Sequence, residues 1–153
     1  MIPTTVGRVP DHTADRANEE IRRRTHEDVA RIAAAGPEPI DRRLAELDRE
    51  WDIERTLEAN AATVALVGLG LGTFVDRRFY LLPAAVAGFL LQHAVQGWCP
   101  PMPVFRRLGI RTASEIDEER YALKALRGDF RDVADGDSGD TMRIDRAFRA
   151  VRS

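Results

Sequence analysis

A chain of 153 residues is long enough for one ordinary domain, and 31% of its residues are charged. The formal net charge of −2 gives no general attraction to nucleic acid, so we expect no nucleic-acid partner. The single cysteine, Cys99, excludes an intramolecular disulfide framework, and the first residues lack the apolar core of a cleavable signal peptide. We therefore expect any membrane insertion to use an internal segment.

The N-terminal part of the chain predicts cytosolic helices behind a short lead. Residues 1–10 form an expected disordered lead, and residues 11–56 an expected cytosolic helical, coiled-coil segment. Gly36 and Pro37 supply the stop and restart between two helices. The second helix carries a coiled-coil seam, with the first helix or a second subunit as its partner, made of Ile40, Leu44, Leu47 and Trp51. No Pro or Gly lies between Ile40 and Val67, so we expect one unbroken helix across that range.

Residues 57–112 hold the most distinctive pattern of the sequence, which is a pair of apolar segments separated only by Asp76, Arg77 and Arg78. Crossing the hydrocarbon core of a bilayer takes about 20 predominantly apolar residues, and both segments reach that range. We therefore predict an all-α fold in which a transmembrane helical hairpin is flanked by cytosolic amphipathic helices.

Small residues recur four positions apart in both apolar segments, at Gly68 and Gly72 and again at Ala84 and Gly88. In lipid this spacing lets helix backbones approach closely, which favours a tight hairpin, a homodimer or another homo-oligomer. The same residues fit the core of a soluble bundle. A soluble α-helical assembly subunit, with the apolar pair buried between chains, is therefore an alternative.

The placement of arginines predicts the orientation of the hairpin. The arginines outside the hairpin outnumber the two in its turn, and they are Arg42, Arg43, Arg49, Arg55, Arg106, Arg107 and Arg111. Because cytoplasmic loops carry the excess of positive charge, both termini are expected in the cytoplasm. The chain is thus expected to be a multi-pass protein of the bacterial inner (plasma) membrane.

The second apolar segment ends at an expected exit turn formed by Gly97, Pro100 and Pro101. The two prolines prevent the helix from continuing and hold the chain extended. This turn returns the chain to the cytosolic side in the predicted topology.

Three polar side chains, His93, Gln96 and Cys99, recur every three residues near this exit, so they are expected on one helix face. Polar groups within a membrane segment are candidates for function. One histidine and one cysteine are too few for a tetrahedral zinc site in one subunit, although a symmetric dimer doubles them. The other interpretations are a reactive or persulfide-carrying Cys99 and structural hydrogen bonding between helices.

Two further motifs lack the residues that their chemistry needs. Thr73 stands where a dinucleotide-binding fingerprint requires its third glycine. The loop-like residues 134–140 have acidic and glycine positions exchanged relative to an EF-hand, and Arg146 stands where a bidentate glutamate is needed. The sequence therefore predicts no catalytic site, no metal site and no cofactor.

Residues 113–153 predict C-terminal cytosolic helices. Thr112 and Glu115 match a capping box, which opens a helix that Gly128 ends. The terminal segment predicts a basic amphipathic helix, with Ile144, Phe148 and Val151 on one side and with Arg143, Arg146, Arg149 and Arg152 opposite. We expect this helix to lie on an anionic leaflet, to bind a protein partner or to remain a solvated tail.

The stretch GFLLQHAVQGWCPPMPVFRRLGIRT combines an apolar span, a Gly-x-Cys-Pro exit, a short apolar and basic run, and Leu-Gly. This order resembles the YgaP-like inner-membrane domain family, a two-helix membrane module found alone or fused to a rhodanese sulfurtransferase domain. The resemblance covers about Trp51 to Thr112, with Gly97, Cys99 and Pro100 as its most specific part. It implies a membrane-embedded helical hairpin and makes a dimer a candidate assembly. Sulfurtransferase activity is not carried over, because this chain has no second cysteine.

These patterns predict a non-enzymatic integral inner-membrane protein, whose hairpin anchors cytosolic helices for self-association or for recruitment of a protein partner. The alternatives are a thiol- or sulfur-handling membrane accessory that uses Cys99, and the soluble assembly subunit.

Overall fold

The computed structural model describes Thr4, residues 6–134 and residues 140–152. Within these residues the secondary structure is helical, with turns and loops between the helices, so the all-α prediction is confirmed. Residues 1–3 and 5 of the expected lead lie outside the description, as do residues 135–139 of the loop-like acidic segment. The described part of the lead forms a turn that continues into a 3₁₀ helix at Pro10–His12, and Val9 is buried.

The helices follow one another in a simple order. They are α1 (Asp15–Ala35), α2 (Pro37–Leu47), α3 (Ile53–Phe74), α4 (Leu81–Gln96), α5 (Met102–Arg107), α6 (Ala113–Arg127), α7 (Arg131–Ala134) and α8 (Asp140–Arg152), and a 3₁₀ helix at Arg77–Tyr80 joins α3 to α4.

Several helix ends lie where the sequence predicts them, because they rest on local chemistry. Gly36 has φ +103° and separates α1 from α2, which starts on Pro37. Positive φ is easily reached only without a side chain, and proline suits the first position of a helix. Gly128 has φ +97° and follows the last residue of α6. Both predicted stops are confirmed.

The prediction of one unbroken helix from Ile40 to Val67 is wrong. Helix α2 ends at Leu47, and α3 begins at Ile53 after Asp52 caps it by accepting a 2.8 Å hydrogen bond from the Arg55 amide. An aspartate at this position satisfies an amide that the first helical turn leaves open, so a new helix can start without Pro or Gly. The Ile53 amide donates to the carbonyl of Arg111 at 2.8 Å, rather than to a carbonyl four residues earlier.

The chain divides into two compact units. The first, called the hairpin unit, comprises Met1–Arg22 and Trp51–Ser114, and the second, called the distal unit, comprises Arg23–Glu50 and Glu115–Ser153. Each unit combines stretches that are far apart along the chain.

In the distal unit, the seam residues of α2 pack within their own chain. Ile40, Leu44 and Leu47 form a buried cluster together with Ile32 of α1 and with Ile116 and Leu123 of α6. The first helix is thus one partner of the seam, as one of the two predictions had it, and α6 is a second. Trp51 lies beyond the end of α2 with 48% of its surface exposed, so it is not part of the seam.

An ion pair between a partly exposed arginine and a buried glutamate also joins α2 to α6. The guanidinium of Arg43 donates to both carboxylate oxygens of Glu119, with Nε to Oε1 at 2.7 Å and Nη2 to Oε2 at 3.1 Å, and Glu119 is only 1% exposed. This hydrogen-bonded pairing raises the pKa of Arg43 above its ordinary value. Removing one partner of such a pair leaves a buried charge uncompensated.

In the hairpin unit, glycines of α3 make room for α4 and for the 3₁₀ helix that precedes it. A Cβ atom added at Gly68 would lie 2.7 Å from Cδ of Pro83, and one added at Gly72 would lie 2.7 Å from the Tyr80 ring. Cβ atoms in real proteins do not come that close to other heavy atoms, so the contact depends on the missing side chains. On α4, Ala84 and Gly88 are exposed, and a Cβ added at Gly88 meets nothing within 4 Å.

Substitutions on α3 test this packing, with Gly70 as a matched control because a Cβ there meets nothing within 4 Å. Gly68→Ala should destabilise the hairpin, since overpacking costs about 1 to 3 kcal/mol. Gly70→Ala should be neutral or stabilising by up to about 1 kcal/mol, because alanine favours helix over glycine. Unfolding by SDS titration in mild detergent, followed by circular dichroism, measures both. Equal effects of the two substitutions would contradict the close contact at Gly68.

Candidate functional site

A polar network with one buried member lies where the hairpin starts and ends. Nε2 of His93, near the end of α4, donates to Oε2 of Glu54, in the first turn of α3, at 2.9 Å. Nη2 of Arg8 donates to the other carboxylate oxygen at 2.8 Å, and Nη1 of Arg8 donates to the carbonyl of Ala94 at 3.1 Å. Two basic side chains thus face one carboxylate, and Arg8 bonds to both helices of the hairpin.

His93 is the buried member of this network, with 4% of its surface exposed. Its Nδ1 atom is also buried and has no hydrogen-bond partner within the described part of the chain. The imidazole ring is therefore held through one nitrogen only. A charge-assisted hydrogen bond of this kind is stronger than one between neutral groups, so Glu54 is the residue that orients the ring.

Gly97 makes room for the N-terminal segment beside this network. It ends α4 with φ +81°, and its amide donates to the carbonyl of His93 at 2.7 Å. A Cβ atom added at Gly97 would lie 2.3 Å from the carbonyl oxygen of Arg8. The predicted exit-turn glycine is thus needed both for its backbone conformation and for the close approach of Arg8.

The three polar residues predicted to share a helix face have different surroundings. Helix α4 ends at Gln96, so the helical spacing does not extend to Cys99. His93 faces Glu54, Gln96 is exposed, and Cys99 is buried among Val9, Ile53, Leu57 and Met102. The left-handed turn at Gly97 is the physical reason, because it redirects the chain before Cys99.

The surroundings of Cys99 are those of a structural cysteine. Only 3% of its surface is exposed, and burial raises the pKa of the thiol, although a hydrogen bond with the Met102 backbone acts in the opposite direction. The thiolate is the reactive form of cysteine, and apolar burial keeps the thiol protonated. This chemistry argues against Cys99 as a sulfur carrier.

An apolar groove of about 410 Å³ lies between α3 and α4 next to the exit turn. Its lining includes Leu57 and Ala61 of α3, Phe89 of α4, and the exit-turn residues Cys99 and Pro101. Pro100 of the predicted exit turn lines it as well. The groove offers van der Waals contact and few polar groups.

Glu54 and Arg8 were missed in the sequence, although His93 was found. Glu54 is 39 positions from His93 and 46 from Arg8, and no local spacing links residues that far apart. A general signal did exist, since an ionisable residue in an apolar segment usually requires a charged or polar partner. This signal did not indicate which acidic residue is the partner of His93. Within the described residues, no group of three or more His, Cys, Asp or Glu side chains is arranged to hold a metal ion.

Comparisons of the chain with protein-family models, with curated proteins and with solved structures found no match.

Replacing Glu54 tests whether the network holds the N-terminal segment in place. Glu54→Gln removes the negative charge to which Arg8 and His93 both bond. The amides of residues 8, 9 and 11–13 should therefore exchange with solvent roughly tenfold faster, the effect of losing one charge-assisted hydrogen bond. Hydrogen exchange followed by mass spectrometry on the full chain in detergent measures this. Glu58→Gln, at an exposed position one turn later, is the matched control. Equal amide exchange rates in the two variants would contradict the role of Glu54 in holding the N-terminal segment.

Alkylation tests the character of Cys99. Because the thiol is buried and its pKa is raised, maleimide should label the folded protein slowly and the denatured protein rapidly. An exposed reference thiol is provided by Ala113→Cys in a Cys99→Ala background, which should react quickly without denaturant. Fast labelling of Cys99 in the folded protein, at the rate of the reference, would restore the thiol-based alternative.

Proposed function

We propose that this protein is a non-enzymatic integral protein of the bacterial inner membrane, whose α3–α4 hairpin anchors helical segments for self-association or partner recruitment. The two helices Ile53–Phe74 and Arg77–Gln96, the latter including the 3₁₀ turn, are long and apolar enough to cross a membrane. Length and composition alone also fit core helices of a soluble protein, so the proposal rests on a further observation.

The observation that carries the proposal is the exposure of these two helices. Only 22% of the most apolar part of the first and 6% of the second are buried, whereas a core helix of a soluble protein is mostly buried. Large apolar side chains point outward along both helices, among them Leu66 (68% exposed), Phe74 (87%), Leu81 (73%) and Leu91 (67%). Contiguous apolar surface on this scale marks contact with a membrane or another chain.

The geometry of the hairpin unit supports a topology with both termini on one side. The Ile53 amide and the Arg111 carbonyl are hydrogen bonded, so the chain leaves the hairpin where it began. The two arginines of the turn, Arg77 and Arg78, are fewer than those before and after the hairpin. The positive-inside rule then favours the cytoplasm for both termini. Phe79 and Tyr80, which are part exposed next to this turn, suit the opposite membrane interface.

The outer face of α4 has small exposed residues, which support the proposal of self-association. Ala84 and Gly88 are exposed and four positions apart, and the space above Gly88 is open. A helix of a second copy could approach α4 closely along this strip, as small residues permit in lipid. The exit-turn pattern around Cys99 further supports membership of the YgaP-like inner-membrane domain family, with an anchoring role that does not use the thiol.

Single-cysteine variants test the anchor and its topology together, in bacteria and in a Cys99→Ala background. Val75→Cys, beside the turn, should be labelled from the periplasm by a membrane-impermeant thiol reagent, and Ala113→Cys should be labelled only after the cells are opened. Both variants should stay in the membrane pellet after alkaline carbonate washing, because a spanning hairpin is not released by charge disruption.

Three outcomes are distinguishable in this experiment. Release of both variants into the carbonate supernatant would overturn the anchor and favour the soluble assembly subunit, in which the same apolar surface is buried between chains. Retention with the reverse labelling pattern would overturn the orientation alone. Retention with the expected pattern supports the proposal.

A further inference from the structure

Helix α8 carries an exposed apolar stripe. Ile144 is 53% exposed, Phe148 56% and Val151 42%. Their spacings of four and three residues place them on one face of the helix. Three large apolar side chains on one face, all open to solvent, indicate a surface that another phase or molecule covers.

The rest of the distal unit holds α8 by a different side. Ala150 is buried, with 7% of its surface exposed, and it is one residue, or about 100° of helix rotation, away from Val151. Nζ of Lys124 in α6 donates to the carbonyl oxygen of Val151 at 2.7 Å and to that of Ala150 at 3.4 Å. These bonds satisfy carbonyls of the last turn, which a helix cannot satisfy by itself. The helix is thus docked with its apolar stripe facing away from Ala150.

The charges of α8 are arranged around this stripe. On a helical projection, Arg152 and Asp145 flank the stripe on one side, and Arg143 flanks it on the other, which is the side of Ala150. Arg146 and Arg149 lie opposite the stripe. The guanidinium carbon of Arg152 is 5.5 Å from the centre of the Phe148 ring, so this arginine stays next to the stripe. Asp140 and Asp145 are the two acidic residues of the helix, against four arginines.

We propose that α8 lies flat on the surface of an anionic lipid bilayer. Ile144, Phe148 and Val151 enter the boundary between headgroups and acyl chains, and the flanking arginines contact lipid phosphates. Charge complementarity favours an anionic bilayer as the surface that covers the stripe, because α8 is basic while the whole chain has a formal charge of −2. Arginines at both edges of a narrow apolar stripe can keep their aliphatic stems in the apolar layer and their charges at the phosphates. This inference rests on the proposed function, which supplies the membrane. It adds α8 to the segments that contact lipid.

Spin labels on the full-length protein test this contact, each placed at a single cysteine in the Cys99→Ala background. One label replaces Phe148 in the stripe, and a matched label replaces Met142, which is exposed and lies almost opposite the stripe. A third label at Leu69, on the exposed surface of α3, reports whether the hairpin is in lipid. The protein is reconstituted in vesicles of phosphatidylcholine, with or without phosphatidylglycerol. Circular dichroism verifies that each variant is folded.

In phosphatidylglycerol vesicles, the label at position 148 should gain access to oxygen and lose access to a water-soluble nickel chelate, while the label at 142 stays in water. Adding Arg143→Gln and Arg152→Gln should lower the ratio of buried to water-exposed label at 148 roughly thirtyfold, from about 1 kcal/mol per arginine near an anionic surface. High salt should lower the same ratio, since the attraction is screened.

Other results overturn the inference in identifiable ways. A label at 148 that stays in water, while the label at 69 lies in lipid, overturns the surface contact of α8 and leaves the anchor standing. A label at 148 that is equally buried in detergent and in both kinds of vesicle indicates a protein partner instead of lipid. A label at 69 that stays in water overturns the membrane anchor itself.

Discussion

The structure of the hairpin unit depends on the apolar surface that the α3–α4 hairpin turns outward. Gly68 makes room for Pro83 of α4, and Gly72 makes room for the Tyr80 ring of the connecting 3₁₀ helix. Many of the large apolar residues point outward instead, and Phe74 is 87% exposed. Leaving this surface in water would cost about 25 cal/mol for each Å² of apolar area. The contacts at Gly68 and Gly72 thus join the two helices on their inner side, and they leave the outer apolar face uncovered.

The sequence predicts helix ends where the cause is local, and it fails where the cause is distant. Gly36, Pro37 and Gly128 act through their own backbone preferences, so their effect can be predicted from residue type. The break before Ile53 has a local part, the Asp52 cap, and a distant part, the Arg111 carbonyl that accepts the Ile53 amide. No pattern around residue 50 contains that second part. A prediction that treats only Pro and Gly as helix breakers therefore joins α2 to α3.

The residues of the candidate site also divide into those that the sequence identifies and those that only the fold brings together. His93 was identifiable because it is an ionisable residue in an apolar segment, and Gly97 because it precedes a proline-rich exit. Glu54 and Arg8 were not identifiable, since only the folded hairpin unit brings them to the histidine. Cys99 was assigned to the helix face of His93 by spacing, but spacing is informative only while the helix continues. One left-handed residue at Gly97 converts a possible reactive thiol into part of a buried cluster.

The bond between Ile53 and Arg111 has a consequence for how the hairpin accommodates bilayers of different thickness. This bond and the contacts of Glu54 with Arg8 and His93 all lie at one end of the two helices. Each helical turn added near the opposite Asp76 turn would lengthen the apolar layer by about 5.4 Å without altering that junction. Hydrophobic matching is normally met by tilting, kinking or deforming the bilayer. If the hairpin spans a membrane as proposed, its apolar length can change in evolution without changes in the residues that join its two ends.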